Sequence, residues 1–339
     1  MLKDKVIDIH MHICGAGDSM AGCRMSNEFI LSPAFAAMLM SLNATPFDIN
    51  DDRIKEMVLN IIETSENTDH AVLLALDWVY RNGRYVKSES HFVVPNDYIS
   101  GIAKNSSRVL FGASVHPYRE RKEMLHETMK CIDNGAVLFK WIPSSQQIDP
   151  EDDRCLPFYK ILAREGVPLL CCIGADPVPA SGHWKVNYSK TSRLEKALDM
   201  GVKVIVVAHC IKPPYCDSVP HENGSYFDKL LSMLRMSEER GWKLYADISS
   251  FCNPEGMTYI ERLNKEINNG ALKPWMFLYG SGFPMPMVDK NIISERLNRQ
   301  DIHVFDENRT NPLDDNYRTL REMGVHDSIF TNAGNVLKL

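Results

Sequence analysis

Eight short apolar runs, rich in β-branched residues, recur along this chain, at residues 5–10, 71–77, 109–115, 136–142, 167–173, 203–209, 243–248 and 275–280. Near-continuous apolar runs of this kind are typical of strands that are buried on both faces. Five of the segments between the runs end in a glycine directly before the next run: Gly135, Gly166, Gly201, Gly241 and Gly270. Because glycine readily adopts the left-handed conformation that ends a helix, this arrangement predicts helices between the strands.

Strands that alternate with helices predict a parallel sheet, and eight such units favour a closed (β/α)8 TIM barrel, an α/β fold. An open doubly wound sheet is the alternative, although no G-x-G-x-x-G follows any of the runs. The chain has 339 residues, of which 44% are hydrophobic, which is enough apolar material for one large core. We therefore predict a single barrel domain over residues 1–339.

Composition argues against several classes of partner. The formal net charge of −6 gives no basic surface, so we expect no nucleic-acid partner. No apolar stretch approaches the roughly 20 residues that a membrane helix needs, so we expect no membrane partner either. The first residues run directly into a predicted strand, so we expect no signal peptide. The nine cysteines are an odd number without regular spacing, which does not fit a disulfide framework. Reduced thiols are expected in the cytoplasm, so we predict a cytoplasmic protein.

The first apolar run ends in D-x-H-x-H, residues Asp8 to His12. In a barrel of this kind the chemical groups lie at the carboxyl ends of the strands. A strand alternates its faces, so His10 and His12 point to the same side. Two imidazoles placed there can chelate one metal ion, with zinc as the typical choice. Alternatively, one histidine caps a turn and the other packs in the core.

Polar side chains also close most of the other runs: Asp77 and Trp78, His116, Lys140 and Trp141, Cys172, His209, and Asp247 with Ser249. For any one of them a capped turn or a satisfied core group is an equally good explanation. Several metal-binding and acid–base side chains at one rim nevertheless favour an active site.

The motifs together resemble the amidohydrolase superfamily, in particular its amidohydrolase-related (amidohydrolase 2) branch, which also contains zinc-dependent non-oxidative decarboxylases. The resemblance rests on residues 7–12, 139–143, 148–153, 208–210, 245–249, 279–284 and 332–337. It implies a metal held by the strand-one histidine pair, a strand-five His and a strand-eight Asp. It also implies that the strand-six histidine, His209 here, is a further ligand or an acid–base group.

The chain departs from this family pattern at two positions. Cys172 stands where the family has the strand-five His, and Gly282 stands where it has the strand-eight Asp. A thiolate is a good zinc ligand, so Cys172 preserves a metal site. Gly282 has no side chain and supplies neither a ligand nor a base for water. Asp247 is the candidate substitute for that base, and a structural role for Asp247 is the alternative.

Three residues are candidates for substrate binding. Arg24 ends a glycine-rich loop directly after the histidine pair, where a guanidinium would bind a substrate carboxylate, and a plain surface arginine is the alternative. Lys140, with Trp141 beside it, is interpreted as an anion-holding residue. A solvated lysine and a carbamylated bridge between two metals are the alternatives for Lys140.

The Met-rich stretch 34–40 has helical spacing, which predicts a helix. We expect this helix to pack as core, as a lid or in a homodimer interface.

Two functions follow from these residues. The first is a zinc-type, metal-dependent hydrolase or decarboxylase that acts on a small, carboxylated molecule. It would hold its metal on His10, His12 and Cys172, with His209 and Asp247 as catalytic groups. The second is a degenerate barrel that binds a ligand or partner without turnover. Bound metal would separate the two, and the identity of the substrate does not follow from the sequence.

Overall fold

The structure, a computed structural model, describes residues 2–46, 49–174, 186–207, 226–249, 251–252, 257–284 and 311–339. Eight parallel strands form one sheet in chain order: β1 (Ile7–His12), β2 (His70–Leu74), β3 (Val109–Ala113), β4 (Ala136–Trp141), β5 (Leu169–Cys172), β6 (Val204–Val207), β7 (Leu244–Asp247) and β8 (Phe277–Leu278). Each strand lies within or overlaps one of the eight apolar runs. The predicted strands are confirmed.

The sheet closes on itself, because backbone groups of β1 bond to the segment that follows β8. The Ile9 amide donates to the Tyr279 carbonyl over 3.1 Å, and the Gly282 amide donates to the His10 carbonyl over 2.9 Å. This closure and the consecutive strand order make the fold a (β/α)8 barrel, as predicted, and exclude the open doubly wound sheet.

Each strand is followed by a helix in the part of the chain that is described: α1 (Asp51–Thr64), α2 (Asn96–Asn105), α3 (Arg121–Asp133), α4 (Leu156–Glu165), α5 (Glu195–Asp199), α6 (Tyr226–Arg240), α7 (Met257–Asn268) and α8 (Pro312–Glu322). Short helices cover Asn27–Ile30, Pro33–Ser41, Pro143–Gln146, Ser328–Thr331 and Ala333–Val336, and 3-10 turns cover Lys87–Glu89, Asp153–Cys155, Val186–Ser189, Thr191–Leu194 and Pro274–Met276. Two small antiparallel ribbons pair Arg24–Met25 with Phe92–Val93, and Tyr80–Arg81 with Arg84–Tyr85.

The predicted glycine stops end helices as expected. Helix α4 ends at Gly166, whose φ of +68° is left-handed, and the Gly166 amide caps the Leu162 carbonyl. The other four predicted glycines also have positive φ. In the Met-rich segment, Phe35, Met38 and Leu39 are buried whereas Met40 is exposed. One face of that helix therefore packs as core.

Within the described ranges, no helix is both long and apolar enough to cross a membrane. All seven cysteines that the described residues contain are buried and free of disulfide bonds.

Candidate active site

Five of the predicted residues come together at the carboxyl end of the barrel. They are carried by β1, β4, β5 and β7 and are linked by side-chain contacts: His10, His12, Lys140, Cys172 and Asp247. Four of them are almost fully buried, and His12 is half-buried. The side chain of His12 is thus the part of this cluster nearest to solvent.

Asp247 fixes the ring of His10. Its Oδ2 lies 2.5 Å from His10 Nδ1 and also accepts from the Ser249 hydroxyl over 2.8 Å. Its Oδ1 accepts from the Ser249 amide over 2.8 Å. Burial, and the Lys140 amine beside it, hold the pKa of His10 well below its usual range. The Asp247 carboxylate on Nδ1 orients the ring so that Nε2 is turned toward His12 and Lys140 at the barrel mouth.

The two strand-one histidines converge as the motif predicts. His10 Nε2 and His12 Nε2 are 3.0 Å apart, and the rings meet edge to face with centroids 4.9 Å apart. Two imidazole nitrogens at this separation suit a single ion, and the carboxylate on His10 Nδ1 is the usual partner of a metal-binding histidine. The histidine pair therefore fits a metal ion.

The amine of Lys140 contacts two of the predicted metal ligands, His10 and Cys172. Its Nζ lies 3.0 Å from His10 Nε2 and 3.1 Å from Cys172 Sγ, and the side chain is fully buried. Lys140 and a metal ion would thus compete for His10 and for the thiol. Within the described residues, no three His, Cys, Asp or Glu side chains are grouped so as to hold a metal ion.

The segment that follows β8 borders the site with the backbone of two glycines, Gly280 and Gly282. Gly282 has a φ of +76°, and its amide bonds to the His10 carbonyl. Gly280 lies so close to Asp247 that a Cβ there would be 2.5 Å from Asp247 Oδ1. Asp8 joins β1 to this segment, because its Oδ1 accepts from the amides of His10 and Ser281 over 3.0 and 2.9 Å. Burial raises the pKa of Asp8 to about 6.

Trp141 requires a correction. It lies on the opposite face of β4 from Lys140, where its Nε1 donates to the Val115 carbonyl over 2.8 Å and its ring stacks on Phe158 of α4 at 4.8 Å. The alternation of a strand places neighbouring side chains on opposite faces, so Trp141 belongs to the layer between barrel and helices. Trp141 is therefore a packing residue and not a substrate-binding one.

Two other candidates, Arg24 and His116, lie apart from the cluster, and a third, His209, is not among the residues that the structure describes. Arg24 is half-buried in its small ribbon, where its Nε donates to the Ser90 carbonyl over 3.3 Å, and its contact with substrate stays a prediction. His116 is fully buried, accepts from the Tyr118 amide and donates to the Gln146 carbonyl, which is a structural role. His209 falls outside the residues that the structure describes.

Two site residues were not singled out from the sequence. Asp8 bridges β1 and β8, and Gly280 makes room for Asp247. The position of Asp8 two residues before His10 was the available signal, since an Asx side chain readily bonds a backbone amide two residues on. The need for glycine at position 280 depends on a contact between distant strands and had no sequence signal.

Comparison with solved structures supports the fold. An uncharacterised TIM-barrel protein of Bordetella bronchiseptica aligns over 94% of this chain and 99% of its own, with 13% identity and a TM-score of 0.55. IDCase of Metarhizium anisopliae, in its apo form, aligns over 98% and 95%, with 11% identity and a TM-score of 0.50. The chain is a TIM barrel.

An amidohydrolase of Mycobacterium avium subsp. paratuberculosis aligns over 97% of this chain and 100% of its own, with 12% identity and a TM-score of 0.45. Neither a protein-family model nor a curated protein matches the sequence. The likeness to the Bordetella bronchiseptica and Metarhizium anisopliae structures supports the fold alone, and the reaction has to be argued from the site residues of this chain.

Proposed function

We propose that this barrel is a divalent-metal-dependent hydrolase of the amidohydrolase type that acts on a small, carboxylated substrate. The observation that supports it is the convergence of His10 Nε2 and His12 Nε2 at 3.0 Å, with Asp247 fixing the other side of His10. Zinc is the proposed ion, because Cys172 would add a sulfur donor to the two imidazoles.

Each residue has a defined task in this proposal. The ion, when bound, would polarise a substrate carbonyl and lower the pKa of a water molecule. Asp247 would keep the proton of His10 on Nδ1, so that Nε2 could act as a metal ligand. Lys140, which faces the same space, would hold the substrate carboxylate, with Arg24 as a second cation from the loop after β1. His209 would serve as ligand or acid–base group, as the sequence resemblance implies.

A second candidate function is non-oxidative decarboxylation. Hydrolysis needs a base for the attacking water, and Gly282 has no side chain to supply one. Both oxygens of Asp247 are already engaged by His10 and Ser249. Breaking a carbon–carbon bond to a carboxylate needs no attacking water. The engagement of Asp247 is the observation that supports decarboxylation as the second candidate.

Metal content is the test of the proposal. We would purify the full chain without chelator, measure bound metals by mass spectrometry, and titrate the chelated protein with zinc. Wild-type protein should bind one zinc, and His12→Asn should lose most of it. Cys172→Ala should bind zinc more weakly, whereas Cys171→Ala should not, because Cys171 points to the other face of β5.

The outcomes separate the candidate functions. Equal zinc affinity in the two cysteine variants would remove Cys172 from the ligand set. A wild-type protein that binds no zinc, manganese or cobalt with the barrel intact would reject the metal proposal and leave the degenerate barrel. For zinc-loaded protein, release of CO2 from carboxylated substrates distinguishes decarboxylation from hydrolysis.

A further inference from the structure

The outer surface of the barrel carries a groove that the proposed active site does not use. The groove lies between α3 and α4, is lined by the first two turns of each helix and has a volume of about 420 Å³. A volume of this size is in the range of sites that hold small organic ligands. The active-site cluster lies inside the barrel, on the other side of β4, so the two sites are separate.

The floor of the groove is apolar. It is formed by Leu125 of α3 and by Leu156, Pro157 and Ile161 of α4. Ile161 is buried and the other three are half-buried, so apolar surface remains open to a ligand. The rise of a helix from residue 156 to residue 161 is about 8 Å. The floor therefore fits an aliphatic chain of medium length, and binding such a chain removes apolar surface from water.

Two cations border this floor, Arg121 of α3 and Lys160 of α4. Both are exposed, and neither forms a hydrogen bond or an ion pair with any residue that the structure describes. The acidic residue of the lining, Asp153, is already engaged, since its Oδ1 lies 2.6 Å from the Nζ of Lys196. The groove thus combines an apolar floor with positive charge that no carboxylate of the lining neutralises, and this charge attracts an anion.

The helix ends add to the positive charge. Helices α3 and α4 begin at Arg121 and Leu156, so both first turns border the groove. The first turn of a helix carries partial positive charge that favours an anion. The side chain of Glu120 accepts from the Lys122 amide and uses part of this charge at α3, whereas no described side chain caps α4. An anionic group is therefore favoured at this end of the groove.

We propose that this groove binds a small amphipathic carboxylate, namely an aliphatic acid of medium chain length. Its chain would lie on the apolar floor, and its carboxylate would pair with Arg121 and Lys160. The inference is independent of the metal proposal, because none of the residues that line the groove belongs to the active-site cluster.

Octanoate is the probe for the test. We would label the methyl groups of the full chain, treat the protein with chelator, and titrate it with octanoate in the NMR spectrometer. The methyl signals of Leu125, Leu156 and Ile161 should shift together and saturate. Because the shifts are assigned to residues, octanoate in this groove is distinguished from octanoate held by Lys140 in the active site.

Charge-removing variants test the role of the two cations. Arg121→Gln and Lys160→Gln should each weaken octanoate binding about three-fold, and about ten-fold together, whereas binding of octan-1-ol should not change. Lys122→Gln is the matched control, since it removes the same charge from the next position of α3 and does not line the groove. It should leave the octanoate affinity unchanged.

Three results would overturn the inference. The first is the absence of shifts at the three floor residues of wild-type protein, with or without shifts elsewhere. The second is equal octanoate affinity in the Arg121→Gln, Lys160→Gln double variant and in Lys122→Gln. The third is a dimer in sedimentation velocity that excludes octanoate from the groove, which would assign this surface to a second copy of the chain.

Discussion

Asp247 Oδ2 lies 2.5 Å from His10 Nδ1, and this contact joins the seventh strand of the barrel to the first. The same carboxylate accepts from the Ser249 amide and hydroxyl, so its oxygens are used within the protein. The predicted catalytic role of Asp247 stays untested, and its contacts favour a positioning role. Its charge determines which nitrogen of His10 carries the proton.

We expect Asp247→Asn to lower zinc affinity by about 10- to 100-fold, because an amide in place of the carboxylate no longer fixes the His10 tautomer. Isothermal titration of chelated protein measures the change. Asp77→Asn is the control, since it breaks another buried carboxylate contact, the ion pair with Arg119 at 2.7 Å. That variant should lose stability and keep its zinc affinity, and equal affinities in both variants would contradict the positioning role.

Gly280→Ala should destabilise the barrel at the site. The added Cβ would lie 2.5 Å from Asp247 Oδ1 and 2.9 Å from His10 Cβ, so β7 and β1, which carry these residues, must shift. We expect a loss of about 1–3 kcal/mol in the free energy of unfolding in urea. Gly101→Ala, within α2, meets nothing within 4 Å and should gain about 0.5–1 kcal/mol. Similar stability of the two variants would show that the close approach at Gly280 is not required.

Gly282→Asp restores the carboxylate that the family pattern has on strand eight. The positive φ of +76° strains any side chain, so both Gly282→Asp and Gly282→Asn should lose about 1–2 kcal/mol of stability. The Asp variant should nevertheless bind zinc more tightly than the Asn variant, because only the carboxylate adds an anionic oxygen. If zinc titration finds the two equal, position 282 does not face the ion.

His116 makes stability depend on pH. Burial lowers its pKa from 6.5 to about 3, whereas in the unfolded chain it returns to its ordinary value. Between these pH values the unfolded chain binds a proton that the folded protein does not, so stability falls as the pH is lowered. The expected loss from this residue between pH 7 and pH 5 is about 2 kcal/mol. Urea unfolding at both pH values should show that much less acid destabilisation in His116→Gln, and an unchanged difference would refute the assignment.

The barrel could be predicted from the sequence because strands that are buried on both faces need continuous apolar runs. The convergence of His10 and His12 could also be predicted, because it needs only the alternation of side chains along one strand. The same alternation separates Lys140 from Trp141, and applying it to β4 would have kept Trp141 out of the site. By contrast, the contacts of Asp247 with His10 and of Lys140 with Cys172 depend on strand tilt and stagger. Spacing along the chain does not encode those quantities.

The backbone bonds that close the barrel have a consequence for measurements in solution. The Gly282 amide donates to His10, and the His12 amide donates to the Phe283 carbonyl over 2.7 Å, so the seam of the sheet and the histidine pair share the same backbone. Opening that seam would dismantle the histidine pair as well. A molecule bound at His10 should therefore slow hydrogen–deuterium exchange at the amides of His12 and Gly282 together, which makes these two protons a joint reporter of occupancy.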